Sequence, residues 1–471
     1  MRTIVLAGVL FACGGGGAAP APRPPAARPP VQPVQPAQPP AVAPAKATFP
    51  GAPATPSGDQ LAWTLDAIVR RHGKLERAEL EAHFHAAFLA QVPIERLQKI
   101  FEDLGHELTD FAITSVQGGD DELVAHVASG DQKLKLKVTL ALDPASKKIS
   151  GLLFAGDLET SARPQSFAEA LRTIAGLAPK AQFLVAALDK GTCKPLHELA
   201  ATDELAIGST FKLYVLLGLV DRIAAGKATW NDEIAVRDDW KSLPSGVTQN
   251  EPPGTKRSLA ALAERMISIS DNTAADHLLY TIGRKEVEAA VRAARHARPA
   301  LDTPFLSTRE LFLFKLGMPA PEVERYLKLP EARRRDYLDK TLAGKAPRAD
   351  LAGEWKTARR IDKLEWFASS EDLCRVMATL WTRAQTPKGA PLLGVLAKNP
   401  GLPIDATVWP YIGFKGGSEP GLINMTYLLR RDDDQWFVVT LGFNAAEGGS
   451  LDDQKIFNVA AGLIDLVGAA R

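Results

Sequence analysis

Ser209 and Lys212 stand three residues apart in the stretch Ile207-Gly208-Ser209-Thr210-Phe211-Lys212-Leu213-Tyr214. On a helix that spacing puts both side chains on one face. From Leu213 to Val220 the chain is apolar without a break, the pattern of a helix buried on every side. A lysine in the first turn of such a helix sheds its hydration, and desolvation lowers an amine's pKa. A neutral amine beside a hydroxyl is a base beside a nucleophile. The helix N-terminus also favours negative charge near Ser209. These residue types at this spacing point to covalent acyl transfer through serine. Alone, the pair is a short pattern that chance also produces.

Two further groups extend the chemistry. Ser270-Asp271-Asn272 follows Ser209 by 61 residues, and Lys415-Gly416-Gly417-Ser418 follows Ser270 by 145. Ser270 suits relay of a proton to a leaving nitrogen or oxygen, and Asn272 suits the holding of a substrate amide. Lys415 suits a substrate carboxylate. Gly416 and Gly417 beside it let a substrate backbone approach closely. The N–H of Ser418, paired with that of Ser209, makes a candidate oxyanion hole. Asp271 is expected to bond local backbone.

Positioning these groups takes a buried helix from about Phe211, a second helix from about Asn272, and a strand ending near Ser418. Phe183 to Leu188 reads as a short buried strand. Asn424 to Leu429 and Trp436 to Leu441 flank Arg431-Asp432-Asp433-Asp434 as a β-hairpin with a charged turn. A helix leads in through Phe167, Leu171, Ile174 and Leu177, and another closes the chain through Ile456, Val459, Leu463, Ile464 and Val467. Residues 57–158 form a separate pattern, helices then strands. Apolar stripes run through Leu61, Leu65 and Ile68, through Leu80, Phe84, Phe88 and Leu89, and through Ile94, Leu97, Phe101 and Leu104. The period then switches to two over Leu134 to Leu142, with Leu123 to Val127 and Ile149 to Phe154 as partner strands.

In this order the three groups resemble those of the penicillin-recognising serine enzymes, the class A β-lactamases and related DD-peptidases. Glu204 to Gly208 before the serine, Ser258 to Ala263 before Ser270, and the terminal hairpin and helix fit the same family, so the resemblance covers about 160 to 471. It implies an α+β fold of the β-lactamase/transpeptidase-like type: an antiparallel sheet flanked by helices plus a helical lobe. It implies Ser209 as nucleophile, Lys212 as its base and Ser270 as proton relay. It further implies substrate contacts from Asn272, Lys415, Gly417 and Ser418. Pro304 to Glu310 and Lys415 to Gly421 are similar to a subgroup, the β-lactamase-like proteins related to a clavulanic-acid biosynthesis gene product. Those carry an extra N-terminal domain of cystatin- or isomerase-like (NTF2-like) type, which residues 57–158 fit.

Two departures bear on activity. Lys-Gly-Gly stands where the family has Lys-Thr-Gly or Lys-Ser-Gly, so one hydroxyl bond to a substrate carboxylate is lost, worth about 1–3 kcal/mol for a charged group. The deacylating glutamate motif E-x-x-L-N is also missing. The corresponding stretch reads Ala300-Leu301-Asp302-Thr303-Pro304-Phe305-Leu306-Ser307-Thr308-Arg309-Glu310-Leu311. Glu310 there reads as a first-turn residue of a helix capped by Ser307, and segment 306–365 as an insertion of extra helices. Acylation is therefore better supported than fast β-lactam hydrolysis. The alternative reading is a β-lactam- or peptidoglycan-binding or sensing lipoprotein that acylates and stalls.

The N-terminus reads as an address. Met1-Arg2 and the apolar run Thr3 to Ala12 resemble a signal peptide, and Leu10-Phe11-Ala12-Cys13 resembles a bacterial lipobox with Cys13 as the lipidation point. Residues 14–56 hold 14 of the 34 prolines and no acidic residue, a composition for an extended tether rather than a core. The expected organisation is 1–13 signal peptide, 14–56 tether, 57–158 small domain and 159–471 hydrolase domain. The remaining 415 residues carry a net charge of −3, which gives no footprint for nucleic acid. The expected partners are a small acyl substrate (β-lactam, ester or peptidoglycan stem peptide) and a membrane through the lipid anchor. The expected state is a monomer in the cell envelope, periplasmic or extracytoplasmic, with no cofactor or metal. The pairing of Cys193 with Cys374 is left open, since a separation of 181 positions says nothing about distance. His83 and His85 are expected on a helix surface.

Overall fold

The computed structural model describes residues 48–89, 92–130, 135–157, 163–243, 245–348, 351 and 355–470. The signal peptide, Cys13 and the tether up to residue 47 lie outside the described residues. The chain divides into two compact units between Ser161 and Ala162.

In the first unit α1 (Pro56–Val69) starts where Thr55 accepts a bond from the Gly58 N–H and Pro56 takes the first helical position. Within the stretch assigned above to the tether, Phe49 is buried in the same core as Leu61 and Ile68, with Ala52 packed against it. The stripe over 80–89 is not one helix. Phe84 leaves the helical path to bridge Ile149, which splits it into α2 (Arg77–His83) and α3 (Ala86–Leu89). His83 is not a plain surface residue; its ring stacks on Trp63 at 3.8 Å. After α4 (Ile94–Glu107) an antiparallel meander follows: β1 (Phe111–Gly118), β2 (Glu122–Ser129), β3 (Lys135–Leu142) and β4 (Ile149–Gly156), in spatial order 1-2-3-4. In β3 every second residue is buried, which places Leu136, Val138, Leu140 and Leu142 on the core face.

The second unit opens with α5 (Phe167–Leu177), β5 (Lys180–Asp189), β6 (Thr192–Leu199) and the two-residue β7 (Leu205–Ala206). A 3₁₀ turn, Gly208–Phe211, leads into α6 (Lys212–Ala224). Then come β8 (Glu233–Ala235), β9 (Lys256–Ser258), α7 (Leu259–Ser268), α8 (Asn272–Ile282) and α9 (Arg284–Ala293). The inserted segment holds α10 (Thr308–Phe312), α11 (Ala320–Leu327) and α12 (Glu331–Tyr337). After β10 (Phe367–Ala368) come α13 (Ser370–Ala384) and α14 (Pro391–Leu396). The chain closes with β11 (Tyr411–Glu419), β12 (Leu422–Arg430), β13 (Trp436–Asn444) and α15 (Asp453–Ala469).

Five strands make one antiparallel sheet in the order β11-β12-β13-β5-β6. The central strands are buried along nearly their whole length because helices cover both faces, so they read as continuous apolar runs. Helix α6 runs through the core of this unit: Leu213 to Leu217 are all fully buried. Each such large apolar side chain contributes about 1.5–3 kcal/mol of burial. The Cys193–Cys374 disulfide ties β6 to α13, which settles the pairing left open above. No helix among the described residues is long and apolar enough to cross a membrane.

Candidate active site

The sequence-predicted residues converge where α6, α8 and β11 meet. Ser209 sits in the 3₁₀ turn and Lys212 begins α6 with its side chain fully buried. The Lys212 amine lies 3.0 Å from Ser209 Oγ, 3.0 Å from Ser270 Oγ, 2.6 Å from the Ser270 carbonyl and 2.6 Å from Asn272 Oδ1. Burial pulls the Lys212 pKa down to about 7, against the weaker upward pull of Asp271 and Asp276. A neutral amine has two hydrogens and one lone pair. The Ser270 carbonyl and Asn272 Oδ1 can only accept, so they take the two hydrogens. The lone pair is left facing the hydroxyls, the orientation a base for Ser209 requires.

Ser270 has a positive φ of 55°, a conformation that costs a non-glycine residue of order 1–3 kcal/mol and concentrates at functional sites. It is held there from two sides: its carbonyl accepts from Lys212 and, at 2.7 Å, from the Ser245 hydroxyl. Asp271 caps α8 through the Ala274 N–H at 2.8 Å. Its second oxygen gathers the Val247 and Thr248 N–H groups at 2.8 and 2.9 Å, so its role is to bond local backbone. Asn272 Nδ2 donates to the Leu243 carbonyl at 3.1 Å, which fixes its amide orientation. The loop 241–248 thus frames the site, and sequence reasoning missed it. It carries no motif and is recognised only through these bonds.

Lys415 reaches the same serine from β11, with Nζ 3.0 Å from Ser270 Oγ. Burial and the nearby Lys212 hold the Lys415 pKa well below the usual lysine range. Two lysines therefore share one serine hydroxyl, and their repulsion disfavours both being charged at once. Ser418 is exposed at the end of β11. Its nitrogen lies 3.3 Å from where a Cβ on Gly208 would stand, so its N–H faces the turn that carries Ser209.

Gly417 also has a packing role. A Cβ there would stand 2.0 Å from the Ile207 carbonyl oxygen and 2.7 Å from the Ser209 nitrogen. The space a side chain would take is filled by the chain's own nucleophile turn, so Gly417 acts on the site by letting β11 pack against it. At Gly416 a Cβ would meet the movable Phe414 ring at 2.7 Å.

Glu310 stays away from the chemistry. Its carboxylate accepts from the Ser307 N–H at 2.8 Å in a capping box, and from Arg284 at 2.7 and 3.0 Å. Beside it, Phe305 packs edge-on to Phe211, which stacks on Trp366. Among the described residues, no carboxylate bonds to Lys212; its partners are the two serines and Asn272.

The family model described as "Beta-lactamase enzyme family" matches residues 166–400. A second, "ORF 12 gene product N-terminal", matches residues 52–147. Among solved structures, the beta-lactamase from Sphaerobacter thermophilus is similar at 17% identity, with 64% of this chain and 97% of that one covered and a TM-score of 0.44. PBP-A is similar at 15% identity, covering 64% and 95%, with a TM-score of 0.42. The class A beta-lactamase of the last common ancestor of Gram-negative bacteria is similar at 18% identity, covering 64% and 98%, with a TM-score of 0.44. A search of curated proteins finds no match.

Proposed function

Because residues 166–400 place this chain in the beta-lactamase enzyme family, among the penicillin-recognising serine enzymes, we propose that it is an envelope-anchored serine hydrolase that works through an acyl-enzyme on Ser209. The observation that carries this reading is the buried Lys212 amine, lowered to about 7 and bonded to Ser209. Lys212 removes the Ser209 proton as Oγ adds to the acyl carbon. The Ser209 and Ser418 N–H groups take the oxyanion. Ser270, bonded to both lysines, passes the proton to the leaving nitrogen or oxygen. The substrate is a β-lactam, an ester or a peptidoglycan-type acyl group whose carboxylate meets Lys415 and Ser418. A bound carboxylate restores positive charge to Lys415, which in turn holds Lys212 neutral.

A specific observation favours the stalled variant of this chemistry: among the described residues no carboxylate bonds to Lys212, and Glu310 is committed to Arg284 and its helix cap. Deacylation is then slow. Incubation with a fluorescent penicillin and with nitrophenyl and cephalosporin esters tests the proposal. The expected result is Ser209-dependent labelling with a burst of about one product per protein, then slow release. Absence of labelling and of any Ser209-dependent ester cleavage would defeat the proposal. Rapid, sustained β-lactam turnover would defeat only its stalled form.

The pH dependence follows from Lys212. Below about 7 the amine holds a proton and cannot act as base; above it the amine is free. The acylation rate is expected to rise with pH through a midpoint near 7 and to fall about tenfold per unit on the acid side. A midpoint at the ordinary lysine value would show that Lys212 is not the base.

The match of residues 52–147 to the ORF 12 N-terminal model supports assignment to the subgroup related to the clavulanic-acid biosynthesis gene product. The lipobox-like Leu10 to Cys13 supports lipid anchoring at Cys13 outside the cytoplasm. Palmitate incorporation that survives Cys13→Ser would refute the anchor.

A further inference from the structure

Three charged side chains away from the acylation chemistry are almost wholly buried together. Lys315 lies in a π-helical turn after α10, Glu365 lies just before β10, and Glu419 is the last residue of β11. Their side chains are 0%, 0% and 7% exposed. The Lys315 ammonium donates to both carboxylates. The Trp355 ring lies 5.3 Å from that ammonium, and Arg359 donates to the Lys315 carbonyl at 2.8 Å. Burial opposes the Lys315 charge, but Glu365 and Glu419 outweigh it. Burial and Glu365 raise Glu419 well above the carboxylate range.

Buried ion groups add little net stability compared with apolar packing, and their best-attested use is to fix one arrangement among several. The arrangement fixed here is the end of β11. Glu419 follows Ser418 directly, whereas Lys315 and Glu365 both belong to the inserted segment 306–365. The same segment grips the neighbouring turn: a Cβ on Gly421, which has φ +81°, would stand 2.5 Å from the Ala358 Cβ. Ala358 also exchanges backbone bonds with Gly449 and Gly448 at 2.8 and 2.9 Å.

We infer that the inserted segment is a positioning device for acylation: the Lys315–Glu365–Glu419 triad clamps the end of β11 and so holds the Ser418 N–H opposite that of Ser209. This rests on the acyl-enzyme reading above. Lys315, Glu365 and Glu419 are positioning residues, since they act through Ser418. The prediction is a loss of limiting rate that exceeds the loss of binding, because Lys415 still meets the substrate carboxylate when Ser418 shifts.

The test uses the full chain with Lys315→Met, Lys315→Arg and Glu419→Gln. Two quantities are read: the limiting acylation rate and half-saturation with a fluorescent penicillin, and backbone hydrogen exchange across 415–421 and 436–444. Lys315→Met is expected to lower the limiting rate about tenfold or more, since a misplaced oxyanion donor forfeits part of the 10²–10³ such a donor supplies. Half-saturation rises by less than the limiting rate falls, exchange quickens across 415–421 and not across 436–444, and Lys315→Arg recovers most of the rate. Glu419→Gln, which keeps the uncharged acid's shape and its bond from Lys315, is expected to retain the rate; if Lys315→Met does not fold, Glu419→Met carries the same comparison. A folded methionine variant with the wild-type rate and exchange would overturn the inference. So would faster exchange spread evenly over both segments. Failure of the wild type to label would remove the acyl-enzyme reading instead, while the exchange pattern would still decide whether the triad clamps β11.

Discussion

Replacing Lys212 by methionine is expected to lower acylation of Ser209 by about a thousandfold while leaving the protein folded. A positioned base contributes about 10²–10⁴, and Lys212 is the basic group in contact with the Ser209 hydroxyl. Methionine nearly matches the volume of the lysine stem, so the core around α6 stays filled. The loss of two bonds, to the Ser270 carbonyl and Asn272 Oδ1, is offset by no longer burying an amine. The stability change is therefore small compared with the kinetic one. Time courses of fluorescent-penicillin labelling and thermal melts on the same preparation separate the two. Ser209→Ala, which removes the bond-forming oxygen, sets the zero of the assay. A Lys212→Met rate within about tenfold of wild type would mean that another group takes the proton. Lys415, bonded to Ser270 rather than to Ser209, would be the next candidate.

What the sequence showed of this site, and what it hid, follows from how local each feature is. Ser209 and Lys212 are three residues apart on one short element, so their contact was legible from helical spacing. Ser270 and Asn272 flank a residue whose capping role is equally local. The β12–β13 hairpin announced itself by apolar runs around a charged turn. The hidden features depend on chain separation. The Lys315–Glu419 contact spans 104 positions and the disulfide spans 181. Ser245 meets Ser270 through a loop without periodicity. Phe49 and β1 were missed for a different reason. Phe49 sits in proline-rich sequence that resembles the tether, and β1 exposes most of its residues, so its alternation is weak. The stripe over 80–89 misled because period alone cannot show that Phe84 trades its helical place for a bridge to Ile149.

Gly417 was legible in the sequence as a residue of the site but not for its packing, and this gives the second large expected effect. Gly417→Ala is expected to lower the limiting acylation rate by about 10²-fold or more. The new Cβ would stand 2.0 Å from the Ile207 oxygen, 2.7 Å from the Ser209 nitrogen and 2.8 Å from the Thr210 nitrogen. All three are backbone atoms, which cannot swing aside as a side chain can. Either β11 retreats or the turn carrying Ser209 shifts, and a displacement of about 1 Å at a reacting group costs about 10²-fold. The overpacking also destabilises the fold by about 1–3 kcal/mol. Gly416→Ala is the matched control, because its Cβ meets the far end of a side chain, the Phe414 ring, at 2.7 Å and backbone only at 3.4 Å, the Asn424 oxygen. The pair of variants distinguishes two uses of the same glycine. If the space at Gly417 were kept for substrate, alanine would raise half-saturation and leave the limiting rate and the melting temperature alone. If it is occupied by the nucleophile turn, as the distances show, the limiting rate and the melting temperature fall together and half-saturation moves little. The decisive comparison is therefore between rate and binding within one variant, measured below its melting temperature.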